Sequence, residues 1–207
     1  LIAGLIKDVQ AYGIDGINLD IEGIKSSVGP HYVEFIRELS VDCRKNGIIL
    51  SVDTYVPSAY TAFYNRAEQG RVADYVVIMG YDEHYAGSEE AGSVASIDYV
   101  QQGIEKTLSE VPKEKVINAI PFYTRFWKTD ADGTVTSEAL GMNDADQKVK
   151  NNNAEPVWDD TTKQYYVEIE YDGATYQMWM EEENSIEEKM KLIKQYDLAG
   201  VSSWRLG

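Results

Sequence analysis

Helix-like and strand-like segments alternate along most of this chain, and that alternation restricts the fold more than any other feature. Most strand-like segments follow a stretch with apolar residues at three-and-four spacing, which is typical of an amphipathic helix. The predicted strands are Asp15–Glu22, Ile48–Asp53, Tyr75–Asp82, Val116–Pro121 and Gly200–Trp204. Strands joined by helices through short linkers favour an α/β fold in which helices wrap a parallel sheet.

The predicted helices are bounded by clear start and stop signals. They cover Leu1 to about Tyr12, His31–Asn46, Ile97–Leu108 and Ile186–Tyr196, with a short helix or irregular turn at Tyr60–Gly70. Gly13 and Gly47 stand where a left-handed cap would end the first two helices. Ser185, with Glu188 three residues later, predicts a capping box at the start of the last helix.

The segment between the fourth and fifth predicted strands departs from this rhythm. Residues Tyr165–Tyr171 and Ala174–Trp179 flank an Asp172-Gly173 pair, which predicts a β-hairpin. We therefore predict an inserted α+β subdomain at residues 129–180. The remaining residues, 1–128 and 181–207, are assigned to the main (β/α) unit.

Composition excludes some classes of partner and some kinds of framework. The 207 residues, 43% of them apolar, can bury a substantial core, and the net charge of −16 argues against nucleic acid or anionic membranes as partners. No apolar run reaches about 18 residues, which argues against membrane insertion. Cys43 is the only cysteine, so no internal disulfide can form. Because the chain opens abruptly on an amphipathic segment, we expect residues upstream of Leu1 in the natural protein.

A row of polar side chains marks the first predicted strand. Polar and apolar residues alternate there at a period of two, so Asn18, Asp20 and Glu22 share one face. The residues expected to point into the core are Ile17, Leu19 and Ile21. Same-face neighbours start roughly 6 to 7 Å apart, close enough for carboxylates to influence each other. A solvent-facing edge strand is the alternative interpretation, because polar alternation marks any half-exposed strand.

The carboxyl ends of the predicted strands carry further polar and aromatic residues, and in parallel barrels the active site gathers at those ends. The residues at these ends are Asp20, Glu22, Tyr81, Asp82, Tyr123, Arg125 and Trp204. Aromatic faces flanked by acids suit a pyranose ring, whose C–H face stacks on Trp or Tyr while its hydroxyls need acceptors. Taken singly, Tyr81, Tyr123 and Trp204 would also be acceptable core residues, and Arg125 an ion-pair partner.

Several of these segments resemble motifs of glycoside hydrolase family 18, the chitinase-like enzymes. Residues Asp15–Glu22 are similar to the Asp-Gly-x-Asp-x-Asp-x-Glu signature on the family's fourth strand, with Asn18 where most members have the first Asp of the inner triad. Met79–Asp82 resembles the end of the sixth strand, Ile120–Arg125 the segment after the seventh, and Gly200–Trp204 the eighth. Within the family, the chain looks most like bacterial spore-cortex and cell-wall N-acetylglucosaminidases.

This resemblance implies a (β/α)8 TIM barrel. The part present here would run from about the third helix to the eighth strand, and the α+β insertion would lie between the seventh and eighth strands. Five strands cannot close an eight-stranded barrel. We therefore expect an isolated chain to expose two apolar sheet edges, and to be inactive or to self-associate.

The resemblance also implies a retaining, substrate-assisted mechanism, in which the acetamide of the substrate is the nucleophile. Glu22 would be the general acid and base, Asp20 would orient the acetamide N–H, and Tyr81 would hydrogen-bond the acetamide oxygen. Residues implied to bind the substrate are Asn18, Met79, Asp82, Tyr123, Arg125 and Trp204, with Trp204 as the floor. Asn18 can hydrogen-bond but cannot take a charge, which is expected to alter the pH profile.

The implied substrate is a β-1,4-linked glycan that contains N-acetylglucosamine, either peptidoglycan or chitin. No metal or other cofactor is implied. The expected location is extracellular, or in the cell wall or spore of a bacterium. A non-catalytic, lectin-like protein on the same fold is the alternative function. A metal-dependent hydrolase is a third interpretation, disfavoured because His31 and His84 do not stand at ligand spacing from Asp20 or Glu22.

Overall fold

A computed structural model describes residues 1–206 as two compact units. The first contains Leu1–Met79, Gly103–Asn118 and Tyr196–Gly200, and the second contains Gly80–Gln102, Ala119–Gln195 and the residues from Val201 onward. The strands, numbered in chain order, are β1 (Gly16–Leu19), β2 (Ile49–Tyr55), β3 (Tyr75–Met79), β4 (Val116–Pro121), β5 (Tyr123–Thr129), β6 (Val135–Gly141), β7 (Val157–Asp159), β8 (Gln164–Tyr171), β9 (Ala174–Met180) and β10 (Gly200–Trp204).

The α-helices confirm most of the predicted boundaries. They are α1 (Ile2–Tyr12), α2 (Gly29–Asn46), α3 (Arg66–Val72), α4 (Ile97–Leu108), α5 (Met142–Asn151) and α6 (Glu183–Gln195). Gly13 and Gly47 cap α1 and α2 in the left-handed region, with φ of 64° and 67°. Both glycines therefore do what the sequence predicts, because a residue with a Cβ is strained at these dihedral angles.

A five-stranded sheet carries the predicted parallel strands in the order β1-β2-β3-β4-β10. The pairs β1/β2 and β2/β3 are parallel, and Asn18 stands opposite Ser51 in the register. Leu19, Leu50 and Val52 face a core formed with Ile36 and other residues of α2. This is the α/β arrangement that the alternating pattern predicts.

A separate antiparallel sheet has the order β6-β5-β9-β8-β7. Its predicted hairpin is confirmed: β8 pairs with β9 across Asp172 and Gly173, whose φ values are 51° and 75°. One face of this sheet packs Val167 and Met178 against residues of α5, among them Val149. The boundaries 129–180 for an inserted subdomain remain a prediction, since β5 already begins at Tyr123.

The first strand is shorter than predicted. It ends at Leu19 instead of Glu22, and Ile21, which was expected to point into the core, is 36% exposed. Ile17 is partly buried and Leu19 is buried. Within the described residues β1 is an outer strand that pairs only with β2. The ladder between β1 and β2 ends at the Leu19–Val52 pair, although β2 continues to Tyr55.

The second strand is not covered on both faces, although the apolar run at its start, Ile48–Leu50, is typical of a strand that is. Its burial alternates, with Leu50 and Val52 buried while Ile49 is 49% exposed. Ser51 and Asp53 lie on the less buried face. The apolar residues at its start obscured the alternation that marks a strand with two different faces.

The predicted start of the last helix is wrong by three residues. Helix α6 begins at Glu183 instead of Ile186. The Glu182 carboxylate accepts hydrogen bonds from the backbone N–H groups of Asn184 and Ser185, at 3.0 and 2.8 Å, and the Ser185 hydroxyl accepts from the Glu182 N–H at 3.0 Å. Glu182 therefore takes the capping position that is predicted for Ser185, and the Ser185 hydroxyl, inside the helix, accepts the reciprocal hydrogen bond.

No helix in the described part of the chain has the length and apolarity needed to cross a membrane.

Candidate active site

In the first unit, the three polar residues that are predicted to share a face lie at and after the end of β1. These residues are Asn18, Asp20 and Glu22, and together they are called the acid row. Asn18 is on the strand, while Asp20 and Glu22 are on the segment that follows it, and all three are exposed. Gly23 closes this segment with a φ of 64°. The two carboxylates are thus presented to solvent beyond the carboxyl end of a strand, the place where parallel α/β folds gather catalytic groups.

Asn18 is fixed by two hydrogen bonds from the neighbouring strand β2. Its side-chain amide donates through Nδ2 to Asp53 Oδ2 at 3.0 Å, and its Oδ1 accepts from the Ser51 hydroxyl at 2.6 Å. The amide orientation is therefore determined, with the nitrogen toward Asp53 and the oxygen toward Ser51. Asn18 belongs to a polar network across the strand pair.

Tyr55, at the end of β2, holds the segment that carries the predicted general acid. Its hydroxyl accepts a hydrogen bond from the Gly23 N–H at 3.2 Å. Burial, and then the Glu22 carboxylate within hydrogen-bonding reach, raise the pKa of the Tyr55 hydroxyl well above its usual value. The Tyr55 ring packs edge-on against Tyr64, with 5.4 Å between centroids. Tyr55 therefore stays protonated and able to donate to Glu22.

The Asp53 carboxyl, on β2 beside Asn18, also has a perturbed pKa. Burial raises its pKa to about 6, the hydrogen bond from Asn18 opposes that change, and the charges of Asp20 and Glu22 add to it. Its Oδ1 is buried without a hydrogen-bond partner. Met79, also expected to bind substrate, lies in this unit at the end of β3 and is 7% exposed.

The second unit contains the other predicted residues, and two of them are directly bonded. The Tyr123 hydroxyl donates to Asp82 Oδ1 at 2.5 Å, and burial, followed by this bond and the Asp82 charge, raises the pKa of Tyr123. The Tyr81 ring meets the Tyr123 ring edge-on, with 6.0 Å between centroids. Asp82 adopts a left-handed φ of 59°, which Asp tolerates better than most residues. Tyr99 donates to the Tyr81 carbonyl at 3.3 Å and supports this turn from α4.

An open cavity of about 790 Å³ lies beside these residues in the second unit, a size typical of ligand sites. Its walls are Asp82, Phe122, Tyr123, Arg125, Ala139–Asp144, Trp204, Arg205 and Leu206. Trp204, at the end of β10, is 49% exposed. The Arg125 Nη1 donates to the Ser137 hydroxyl at 3.0 Å, while its Nε is buried without a partner. Tyr123 and Arg125 lie on β5 of the antiparallel sheet, so they do not prolong β4.

A family model described as glycosyl hydrolases family 18 matches residues 1–207. The chain belongs to this family. It is 30% identical over 98% of its length to the uncharacterized glycosylase YvbX of Bacillus subtilis, and 26% identical over its whole length to the cortical fragment-lytic enzyme of the same organism. It spans only 60% and 50% of those two proteins.

Solved structures share the fold of this family 18 chain. The crystal structure of a chitinase from Chromobacterium violaceum superposes with a TM-score of 0.91 at 27% sequence identity, over 100% of this chain and 66% of the chitinase chain. The fold and the family are thereby established for residues that include both groups of site residues.

Sequence reasoning missed three residues of the first unit that contact the acid row: Ser51, Asp53 and Tyr55. A signal for them exists, because these residues alternate with Val52 and Thr54 at the same period of two that marked β1. The preceding apolar residues concealed it. The 139–144 wall of the second unit's cavity had no comparable signal, since nothing local in the sequence places that segment beside Trp204.

Metal binding has no support in the described residues, where no group of three or more His, Cys, Asp and Glu side chains could hold an ion. His31 is an exposed residue on α2. The Nδ1 of His84 donates to the Ser93 carbonyl at 2.8 Å, and its ring meets Trp127 edge-on at 6.5 Å. Both imidazoles therefore have ordinary structural surroundings.

Proposed function

We propose that this chain carries the catalytic residues of a retaining glycosidase that cleaves β-1,4-linked glycans containing N-acetylglucosamine. The observation that carries the proposal is the Asp20–Glu22 segment, which presents two carboxylates after β1 in a chain whose family match covers every residue. Membership of family 18 makes a substrate-assisted mechanism the expected one. In that mechanism the acetamide carbonyl of the substrate attacks the anomeric carbon while an enzyme carboxylic acid protonates the leaving oxygen.

Glu22 is proposed as that acid, and as the base that later activates water. The Tyr55 hydroxyl supports this role, because it stays protonated beside the Glu22 carboxylate and limits its orientation. Asp20 is proposed to accept a hydrogen bond from the acetamide N–H and to stabilise the positive charge of the oxazolinium intermediate. Tyr81 is proposed to donate to the acetamide oxygen, which keeps that oxygen aimed at the anomeric carbon.

The cavity of the second unit is proposed to bind sugar rings. The half-exposed Trp204 offers an indole face for the apolar side of a pyranose, and Asp82, Tyr123 and Arg125 offer hydrogen bonds for hydroxyls. Asn18 and Met79 are proposed as minor substrate contacts.

The natural substrate is proposed to be a cell-wall glycan, peptidoglycan or chitin, met outside a bacterial cell or in its wall or spore. Support comes from a curated relative named a cortical fragment-lytic enzyme and from a solved chitinase of similar fold. We also propose that the chain forms the part of a (β/α)8 barrel from about the third helix to the eighth strand. Self-association through exposed sheet edges stays a prediction that sedimentation of the isolated chain would test.

The test is Glu22→Gln in the intact protein as its natural gene encodes it, assayed on N-acetylated oligosaccharides by mass spectrometry of the products. We expect cleavage to be abolished while glycan binding, measured by calorimetry, is nearly retained, because the amide keeps the shape and loses the proton. Glu38→Gln is the matched control, since Glu38 is exposed on α2 and the same charge is removed. Retention of more than a few per cent of hydrolysis by Glu22→Gln would refute the assignment.

A second assay separates the mechanism from its alternatives. Glucans without an acetamide should not be cut, because the nucleophile is then missing, so measurable turnover of cellulose oligomers contradicts substrate assistance. Binding of N-acetylated glycans by the unaltered protein with no cleavage at any pH would favour the lectin-like alternative.

A further inference from the structure

We propose that Asp53 is a positioning residue of the acid row, which supplies from the neighbouring strand the negative charge that Asn18 lacks. The inference rests on the proposed function, since it concerns how the Asp20–Glu22 pair works. It goes beyond the family motif because Asp53 lies outside that motif, on β2.

Strand register places Asp53 beside the acid row. β1 and β2 are parallel, with Asn18 opposite Ser51 and Leu19 opposite Val52, so Asp53 follows this last pair on β2 as Asp20 follows it after β1. Side chains two apart on a strand share a face. Ser51 and Asp53 therefore line the same face as Asn18, as their two hydrogen bonds to its side chain show.

The Asn18 amide connects this carboxylate to the row. Because Asn18 donates to Asp53 and accepts from Ser51, its amide cannot rotate without losing both bonds. An Asp at position 18 would have brought a charge to this place. Asn18 instead brings a donor that is satisfied by a charge one strand away, at 3.0 Å.

The neighbours of Asp53 determine how its charge depends on pH and on the charges of Asp20 and Glu22. From β1 and the segment after it, Asn18, Asp20 and Glu22 face this carboxylate, and from β3 its register partner is the buried Val77. From α2, the buried Tyr32 hydroxyl interacts with the Asp53 charge. None of these neighbours brings a positive charge.

Two consequences follow for the proposed reaction. An ionised Asp53 keeps Asn18 oriented, and it adds negative potential where a positively charged oxazolinium would form. Once Asp53 takes up a proton, near pH 6, both contributions fall. Turnover should therefore rise with pH through a step near 6 that belongs to Asp53.

The kinetic test compares pH profiles of kcat and KM in the intact protein as its natural gene encodes it. Asp53→Asn keeps the shape and loses the charge, so kcat at pH 7 should fall roughly tenfold, a smaller loss than for a direct contact to the transition state, with KM nearly unchanged. Its profile should lack the step near 6. The second change Asn18→Asp, made in the Asp53→Asn protein, returns a carboxylate to the network and should restore most of the lost rate.

Ser51→Ala is the matched control, because it removes the other hydrogen bond of Asn18 without changing any charge. Its rate will fall if Asn18 loosens, but the step should remain at the wild-type pH. A step near 6 that persists in Asp53→Asn overturns the proposal, as does failure of the added Asn18→Asp change to restore activity.

A measurement that needs no turnover separates this inference from the proposed function. Carboxyl ¹³C resonances of labelled Asp53 report its titration directly, and Asp20→Asn should lower its midpoint by about one pH unit, because a nearby negative charge is removed. An unshifted midpoint overturns the coupling. If the wild-type protein cleaves no N-acetylated glycan while Asp53 titrates as expected, the proposed function fails and the coupling within the row stands.

Discussion

Replacing Asp53 by Asn should stabilise the folded protein at neutral pH. The pKa of this carboxyl is raised from an ordinary value of 3.8 to about 6, chiefly by burial. The folded state therefore binds the Asp53 proton more tightly than the unfolded state. The contribution of Asp53 to the stability of the wild-type protein is consequently greatest below about pH 4 and falls as the pH rises toward 6.

The size of this effect follows from the shift. A displacement of about two units corresponds to at most about 3 kcal/mol, at 1.36 kcal/mol per unit. Asp53 is only partly buried, so solvent screening reduces the expected value to about 1–2 kcal/mol. Asp53→Asn removes the ionisation and keeps a partner for the Asn18 amide, so the variant should gain this amount above pH 7 and almost nothing near pH 3.5.

Urea unfolding at several pH values, followed by fluorescence and circular dichroism, measures the difference. The m-values of the two proteins should agree, which shows that the midpoint shift reports stability. Asp8→Asn, at an exposed position of α1, is the control and should give a pH-independent difference. A stability difference for Asp53→Asn that is the same at pH 4 and pH 7.5, or that favours the wild type at pH 7.5, would refute the reasoning.

Two further predictions concern the second unit. Glu181→Gln should cost about 3–5 kcal/mol in urea unfolding, because it leaves the Lys189 ammonium, 2.9 Å away and 1% exposed, buried without a counter-charge. The double variant Glu181→Gln, Lys189→Met removes both charges, keeps an acceptor for Gln164 and Ser185, and should be much closer to wild type. A single-variant loss below about 1 kcal/mol would contradict this. Gly92→Ala should lower the free energy of unfolding by about 1–3 kcal/mol, because the added methyl group would lie 2.4 Å from ring atoms of His84. That ring is held by its hydrogen bond to the Ser93 carbonyl. Unchanged thermal unfolding would show that the ring moves away freely.

Local signals in the sequence predicted most of the fold. The bounds of β4, β10 and α4 agree with the structure residue for residue, because each is an apolar or amphipathic segment between clear breaks. The predicted boundaries are wrong where an interaction outside the local pattern sets the end of an element. β1 stops at Leu19, where its pairing with β2 ends, and α6 starts early because the Glu182 carboxylate caps its first N–H groups. Neither cause is visible in local periodicity.

The residues of the candidate site could be predicted where they lie in one sequence motif. They could not be predicted where only the pairing of two strands brings them to the site. Asp20 and Glu22 could be chosen from eight consecutive residues of the sequence. Asp53 could not be chosen in this way, because its place beside Asn18 depends on the register of β2 against β1. No residue pattern within β2 indicates that register. Periodicity could have shown that Ser51, Asp53 and Tyr55 share a face, but not that the face belongs to the acid row.

The two expected effects of Asp53→Asn, a more stable fold and a slower reaction, have the same physical origin. A carboxylate at position 53 meets like charges and the apolar Val77, and one of its oxygens has no hydrogen-bond partner. An amide would fit the place at a lower free energy. Unfavourable electrostatics of this kind concentrate at functional sites, where a charge that weakens the fold strengthens the interaction with a transition state of opposite charge. The opposite signs of the changes in stability and in kcat are therefore the most specific signature of the role assigned to Asp53, because a merely structural residue would lower both together.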